Sequence, residues 1–112
     1  MVQETNSSIE ITPRAVREMA GRGDEFLFVD VREAWEYGIS RIEGAVLIPL
    51  REIPANFSRL KEAGKIVLFC HHGMRSLDAA SWLRAQGIAA ALSMSGGIDR
   101  WAAEVDPNVP RY

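Results

Sequence analysis

Short apolar runs of strand length alternate with amphipathic stretches from Ile9 to Trp101, and this alternation restricts the chain to an α/β layout more than any other feature. Three runs are apolar at every position: Phe26, Leu27, Phe28 and Val29; Ala45, Val46, Leu47 and Ile48; Ile66, Val67, Leu68 and Phe69. A strand with one wet face alternates apolar and polar residues. An unbroken run marks a strand covered on both faces, as in a parallel sheet sandwiched by helices.

The intervening stretches carry helix punctuation. Thr12 offers an N-cap and Pro13 suits the first helical position, so a helix is expected to about residue 20, stopped by Gly21 and Gly23. A short helix is expected over residues 32–37, ended by Gly38, and another over 56–62 before Gly64. Residues 76–86 place Leu77, Ala80 and Leu83 on one helical face, with Gly87 as the stop. Residues 9–11 and 89–94 read as further strands, Gly96 and Gly97 as a turn, and residues 98–103 as a last helix. Strands alternating with helices imply a mostly parallel sheet with helices on both faces, whose ligands sit beyond the carboxyl ends of the strands. One domain is expected over residues 9–105. Residues 1–8 read as a flexible tail and 106–112 as an extended one, because Pro107 and Pro110 disfavour helix.

Composition excludes several classes. Net charge is −2 with no Lys/Arg run, which argues against nucleic acid and anionic membranes as partners. No apolar stretch approaches bilayer length. The polar N-terminus lacks the basic start and apolar core of a secretory leader, so a cytoplasmic protein is expected. One cysteine rules out a disulfide framework within the chain, and no glycine-rich nucleotide loop appears. No cofactor is implied.

That cysteine, Cys70, follows directly on the strongest strand signal and opens the loop His71, His72, Gly73, Met74, Arg75, Ser76, which feeds the helix expected over residues 76–86. A lone cysteine is more often inert packing than a nucleophile. This loop is polar, however, and it precedes a helix. A tight turn into a helix N-terminus directs backbone N–H groups inward, and these donors and the helix dipole favour an anion. A thiolate there would be nucleophilic. Gly73 permits a positive φ, Arg75 adds a cation, and Ser76 offers a helix cap. The same cradle suits a persulfide or a small sulfur-containing anion. Four residues separate Cys70 from Arg75, one fewer than in tyrosine-phosphatase-like loops, which makes the cradle narrower. His71 and His72 invite a metal, but the three consecutive residues Cys70, His71 and His72 do not readily share a tetrahedral ion and no further His or Cys exists in the sequence, so no metal is expected. One histidine is expected to line the mouth of the pocket and the other to face solvent.

The chain resembles the rhodanese homology domain over residues 9–101. The marks are Asp30, Val31, Arg32, Glu33; Ile42, Glu43, Gly44, Ala45 followed by Ile48, Pro49, Leu50; the loop of residues 70–76; and Gly96, Gly97 followed by Trp101. The closing stretch from Gly96 to Tyr112 is similar to the rhodanese modules of sulfur-carrier-activating enzymes. Arg41 stands where the family usually has histidine. The resemblance implies five parallel strands flanked by helices, Cys70 as the persulfide site, residues 71–75 as the loop around it, and Asp30 and Arg32 as neighbours that support the loop. Read from the residues alone, Asp30 and Arg32 at a strand end can hold the loop through hydrogen bonds, and a helix cap with a surface ion pair fits them equally well.

The expected activity is a sulfurtransferase that moves sulfane sulfur from a donor such as thiosulfate to an outside acceptor: cyanide, a thiol or a sulfur-carrier protein. A small phosphatase or arsenate reductase using the same cradle, and a non-catalytic redox or binding module, are the alternatives.

Overall fold

All four residues of the apolar run 66–69 are buried, and the reason is visible in the two layers they touch. Ile66 and Leu68 face one cluster with Val29, Leu60, Ala80 and Leu83. Val67 and Phe69 face the other with Val16, Phe28, Ile98 and Trp101. The computed structural model describes residues 9–112, so the tail expected at residues 1–8 lies outside the described residues. Five strands, β1 (Glu10–Ile11), β2 (Leu27–Asp30), β3 (Val46–Leu47), β4 (Ile66–Phe69) and β5 (Ala91–Met94), form one sheet in the order β1-β5-β4-β2-β3. Every neighbouring pair is parallel.

The helices are α1 (Pro13–Gly21), α2 (Ala34–Ile39), α3 (Phe57–Ala63), α4 (Met74–Ala85) and α5 (Gly97–Glu104). α3 and α4 supply Leu60, Ala79, Ala80 and Leu83 to one sheet face; α1 and α5 supply Val16, Met19, Ile98 and Trp101 to the other. Thr12 caps α1, its hydroxyl accepting from the Ala15 amide at 3.1 Å, with Pro13 in the first turn. No helix among the described residues is long and apolar enough to cross a membrane.

Three local expectations are corrected. α2 begins at Ala34 rather than Arg32 and runs through Gly38 to Ile39. Arg32 is drawn back onto Asp30, and a reciprocal Glu33–Glu36 capping box sets the helix start. Gly38 does not take the positive φ that would end a helix. α3 begins at Phe57, after a 3₁₀ turn over Pro54–Asn56. α4 begins at Met74, two residues before the expected start: Gly73, at φ 109°, occupies the cap position, and Ser76 lies inside the first turn.

β4 is central in the sheet, with β2 on one side and β5 on the other. In register, Asp30 pairs with Phe69, and the Val31 amide donates to the Phe69 carbonyl at 3.0 Å. The end of β2 is therefore fixed one residue from Cys70.

Candidate active site

Cys70 leaves β4 and the chain turns at once into α4. The Gly73 amide donates to the Cys70 Sγ at 3.1 Å and the Ser76 amide at 3.4 Å. The thiol points toward the Ser76 hydroxyl at 3.6 Å, and Ser76 in turn contacts the Ser93 hydroxyl of β5 at 2.8 Å. Cys70 is only 1% exposed, so these donors act on its sulfur with little competition from water. The sulfur lies within reach of the apolar core, yet what faces it at the loop is two backbone N–H groups and the Ser76 hydroxyl oxygen.

A second helix start holds this loop from behind. The Ile98 amide donates to the Cys70 carbonyl at 2.8 Å and the Asp99 amide to the His71 carbonyl at 3.2 Å. Helix amides left unpaired by geometry thus find their acceptors in the loop backbone. The fit allows no side chain at Gly97: a Cβ there would strike the carbonyl oxygens of Cys70 and His71.

Asp30 and Arg32 are fully buried and paired, which sets aside a surface ion pair. Arg32 Nε donates to one Asp30 oxygen at 2.9 Å and Nη2 to the other at 2.7 Å. Its remaining hydrogens go to the Ser40 carbonyl, the Glu36 carbonyl and the Tyr112 hydroxyl. All five guanidinium donors therefore have acceptors, the condition under which a buried cation is tolerated. Tyr112 passes the connection on: its hydroxyl donates to Glu36 Oε2 at 2.7 Å, and the Glu36 carboxylate receives both Arg75 Nη1 and Nη2, at 2.7 and 3.0 Å. Asp30 and Arg32 reach the cysteine loop through Tyr112 and Glu36.

The electrostatics follow from that chain. Burial alone would raise the Glu36 carboxyl. Hydrogen bonds from Arg75, the Glu33 amide and Tyr112 outweigh burial and hold it at about 2. Burial pushes the Tyr112 phenol up to about 12, with the Glu36 carboxylate adding to the effect against Arg32, so the hydroxyl stays protonated as a donor. Arg75 is raised chiefly by its hydrogen bonds to Glu36 and by the charge of that carboxylate. Its guanidinium is committed to Glu36, whereas the sequence suggested a cation aimed at the sulfur.

The two histidines differ in exposure. His72 is exposed. His71 is stacked between His72, at 3.9 Å, and Tyr112, at 4.0 Å. Burial lowers its pKa and neighbouring His72 lowers it further, so it resists protonation. His71, His72 and Asp99 bring their ligand atoms within 4.8 Å of one another. Stacked rings direct their in-plane lone pairs side by side rather than at one ion, however, and both Asp99 oxygens already bind Arg111. Met74 projects into solvent, 73% exposed, beside the loop. A separate cavity of about 440 Å³ between α1 and α5 is lined by Val16, Phe28 and Trp101 with Arg17, Glu43 and Asp106 at its edge, and Cys70 is not part of its wall.

Sequence reasoning missed Glu36, Tyr112, Ser40 and Ser93. Glu36 had a local signal, the Glu33–Glu36 spacing of a capping box. Tyr112 lies in the stretch expected as a tail; there Val109 is buried and the Ser40 hydroxyl donates to the Pro110 carbonyl at 2.7 Å.

Comparison with known proteins gives one consistent result. The family model described as Rhodanese-like domain matches residues 12–104. The adenylyltransferase and sulfurtransferase MOCS3-2 of Zea mays is 37% identical over 112 residues, an alignment covering 94% of this chain. The chain spans only 23% of that relative's length. The sulfurtransferase of Allochromatium vinosum is 30% identical, with 83% of this chain and 87% of the relative covered. Among solved structures, a rhodanese-related protein from Thermoplasma volcanium superposes with a TM-score of 0.77 at 27% identity, covering 92% of this chain and 98% of that one.

Proposed function

The chain belongs to the rhodanese-like domain family, and from that premise we propose that it is a sulfurtransferase whose Cys70 carries sulfane sulfur as a persulfide. The observation that supports this most is the convergence of the Gly73 and Ser76 amides on Sγ at 3.1 and 3.4 Å. Two aligned N–H dipoles at the start of a twelve-residue helix stabilise negative charge on that sulfur. The amides of Met74 and Arg75, at the same helix start, are the donors available to a second sulfur one bond farther out.

The reaction runs in two displacements. The Cys70 thiolate attacks the outer sulfur of a small donor anion such as thiosulfate; the donor's S–S bond breaks, sulfite leaves with the electron pair, and Cys–S–S⁻ remains. A thiophile then attacks the terminal sulfur. The persulfide bond breaks, its pair returns to Cys70 Sγ, and the acceptor leaves carrying the sulfur; with cyanide the product is thiocyanate. Because the sequence has one cysteine, a second thiol of the same chain cannot resolve the persulfide. The acceptor is an outside group: cyanide, a small thiol, or a sulfur-carrier protein. In this reading His71, His72, Gly73, Met74, Arg75 and Ser76 form the wall around the donor, and Asp30 and Arg32 keep Glu36 and Arg75 in place.

The test is turnover of thiosulfate and cyanide by the wild-type chain and by Cys70→Ser. Complete loss of thiocyanate formation, with the unfolding transition unchanged, is the expected outcome. Turnover retained by Cys70→Ser places the chemistry elsewhere. Release of phosphate from an aryl phosphate, without sulfur transfer, replaces the proposal with a phosphatase.

A further inference from the structure

Ser93 stands in β5 between Leu92 and Met94, fully buried, where alanine would fill the space without a polar atom to satisfy. A buried hydroxyl without a partner destabilises, so its hydrogen bond must be accounted for. Among the described residues the Ser93 hydroxyl has one partner, Ser76 Oγ at 2.8 Å. Distance alone does not say which of the two donates. The surroundings decide it. Were Ser76 to donate, the Ser93 hydrogen would be left without an acceptor in the interior. Ser76, by contrast, has two further acceptors within reach: the Gly73 carbonyl at 3.3 Å and the Cys70 sulfur at 3.6 Å. The arrangement that satisfies every hydrogen has Ser93 donating to Ser76.

We propose that Ser93 is a positioning residue for Cys70: by donating to Ser76 Oγ it leaves the Ser76 hydrogen to the Gly73 carbonyl or the sulfur, making Ser76 a third donor whenever the sulfur is negative. This deepens the sulfurtransferase reading and rests on it for its biological meaning, although the hydrogen-bond logic concerns the thiol itself. With a neutral thiol, Cys70 S–H donates to Ser76 Oγ and the hydroxyl rests on the Gly73 carbonyl. With a thiolate or a persulfide, the hydroxyl rotates from that carbonyl to the sulfur. The Gly73 carbonyl is not stranded, because it also accepts from the Leu77 amide at 3.1 Å. The switch needs one rotation about a Cβ–Oγ bond and no backbone movement.

The experiment measures alkylation of Cys70 by iodoacetamide near neutral pH, together with the ultraviolet absorbance of the thiolate, in the wild type, Ser93→Ala, Ser76→Ala, the double variant and Ser93→Thr. The rate for Ser93→Ala falls about threefold, the size of effect expected for weakening one hydrogen bond to a charged sulfur. Ser76→Ala falls further, and the double variant matches Ser76→Ala alone, because Ser93 acts only through Ser76. Ser93→Thr, which keeps the hydroxyl, recovers the wild-type rate. Independent, additive effects overturn the proposal, as does an unchanged rate in folded Ser93→Ala. Equal slowing by Ser93→Ala and Ser93→Thr assigns Ser93 to packing and overturns it too. If Ser93→Ala does not fold, an unchanged rate in Ser76→Ala overturns it. Alkylation needs no sulfur donor. Absence of a persulfide on the wild type would defeat the sulfurtransferase reading while leaving this result to stand or fall alone.

Discussion

α4 and α5 begin in the same way and spend their first amides differently. Each is preceded by a glycine with a positive φ, Gly73 at 109° and Gly96 at 75°, and neither start has a side-chain cap. At α5 the amides of Ile98 and Asp99 are consumed by the carbonyls of Cys70 and His71. At α4 the amides of Gly73 and Ser76 meet a sulfur. A helix start is a set of unpaired donors. What it does depends on whether its acceptor is a backbone carbonyl, which makes it a structural clamp, or a nucleophile, which makes it a reactive site. Here the clamp holds the reactive site in place. The first turns also differ in how their charged residue is anchored: Arg75 by the nearly buried Glu36, Asp99 by the exposed Arg111.

Breaking the clamp should have the largest effect. Gly97→Ala places a methyl group against two loop carbonyls at a φ of 61°, and backbone cannot move aside as a flexible side chain can. A loss of about 3 kcal/mol or more is expected in denaturant unfolding, with sulfur transfer lost alongside. A midpoint close to the wild type would show that α5 does not clamp the loop.

Glu36→Gln tests the buried anchor of α4. With the carboxyl held at about 2 against an ordinary value of 4.5, the charged form contributes stability above about pH 4.5, and the contribution is lost as pH falls toward 2. Wild-type unfolding free energy should therefore decline across that acid window, and Glu36→Gln should decline less steeply. At neutral pH the variant should lose about 1–3 kcal/mol and part of its transfer rate, because Arg75 keeps its charge without its partner. Parallel acid slopes would contradict the role given to Glu36. The smallest effect belongs to Arg111→Ala, which breaks the exposed pair with Asp99: a barely measurable shift of the unfolding midpoint, shrinking further in salt, with transfer intact.

What could be read from the sequence was local. The run Ile66 to Phe69, the cysteine behind it and the glycine before a helix all lie within about ten residues, and the loop is where they indicated. Both faces of β4 are covered, as an unbroken apolar run requires. What stayed hidden was joined through space. Tyr112 meets Glu36 across 76 positions, Arg75 meets it across 39, and Ser76 meets Ser93 across 17. No periodicity carries such pairings. Ser93 in particular looks like an ordinary strand residue until its neighbour is known. Ser76 was expected as the helix cap because serine is a frequent one. The tight turn needed a positive φ one position before the helix, so Gly73 took the cap and the serine hydroxyl was left free for the sulfur.

The most direct measurement is the mass of the chain, and of its Cys70 peptide, after exposure to thiosulfate and then to cyanide. The expected result is a gain of one sulfur atom confined to the Cys70 peptide, removed by cyanide and absent from Cys70→Ser. A folded chain that reacts with iodoacetamide at Cys70 yet never gains that sulfur would contradict it.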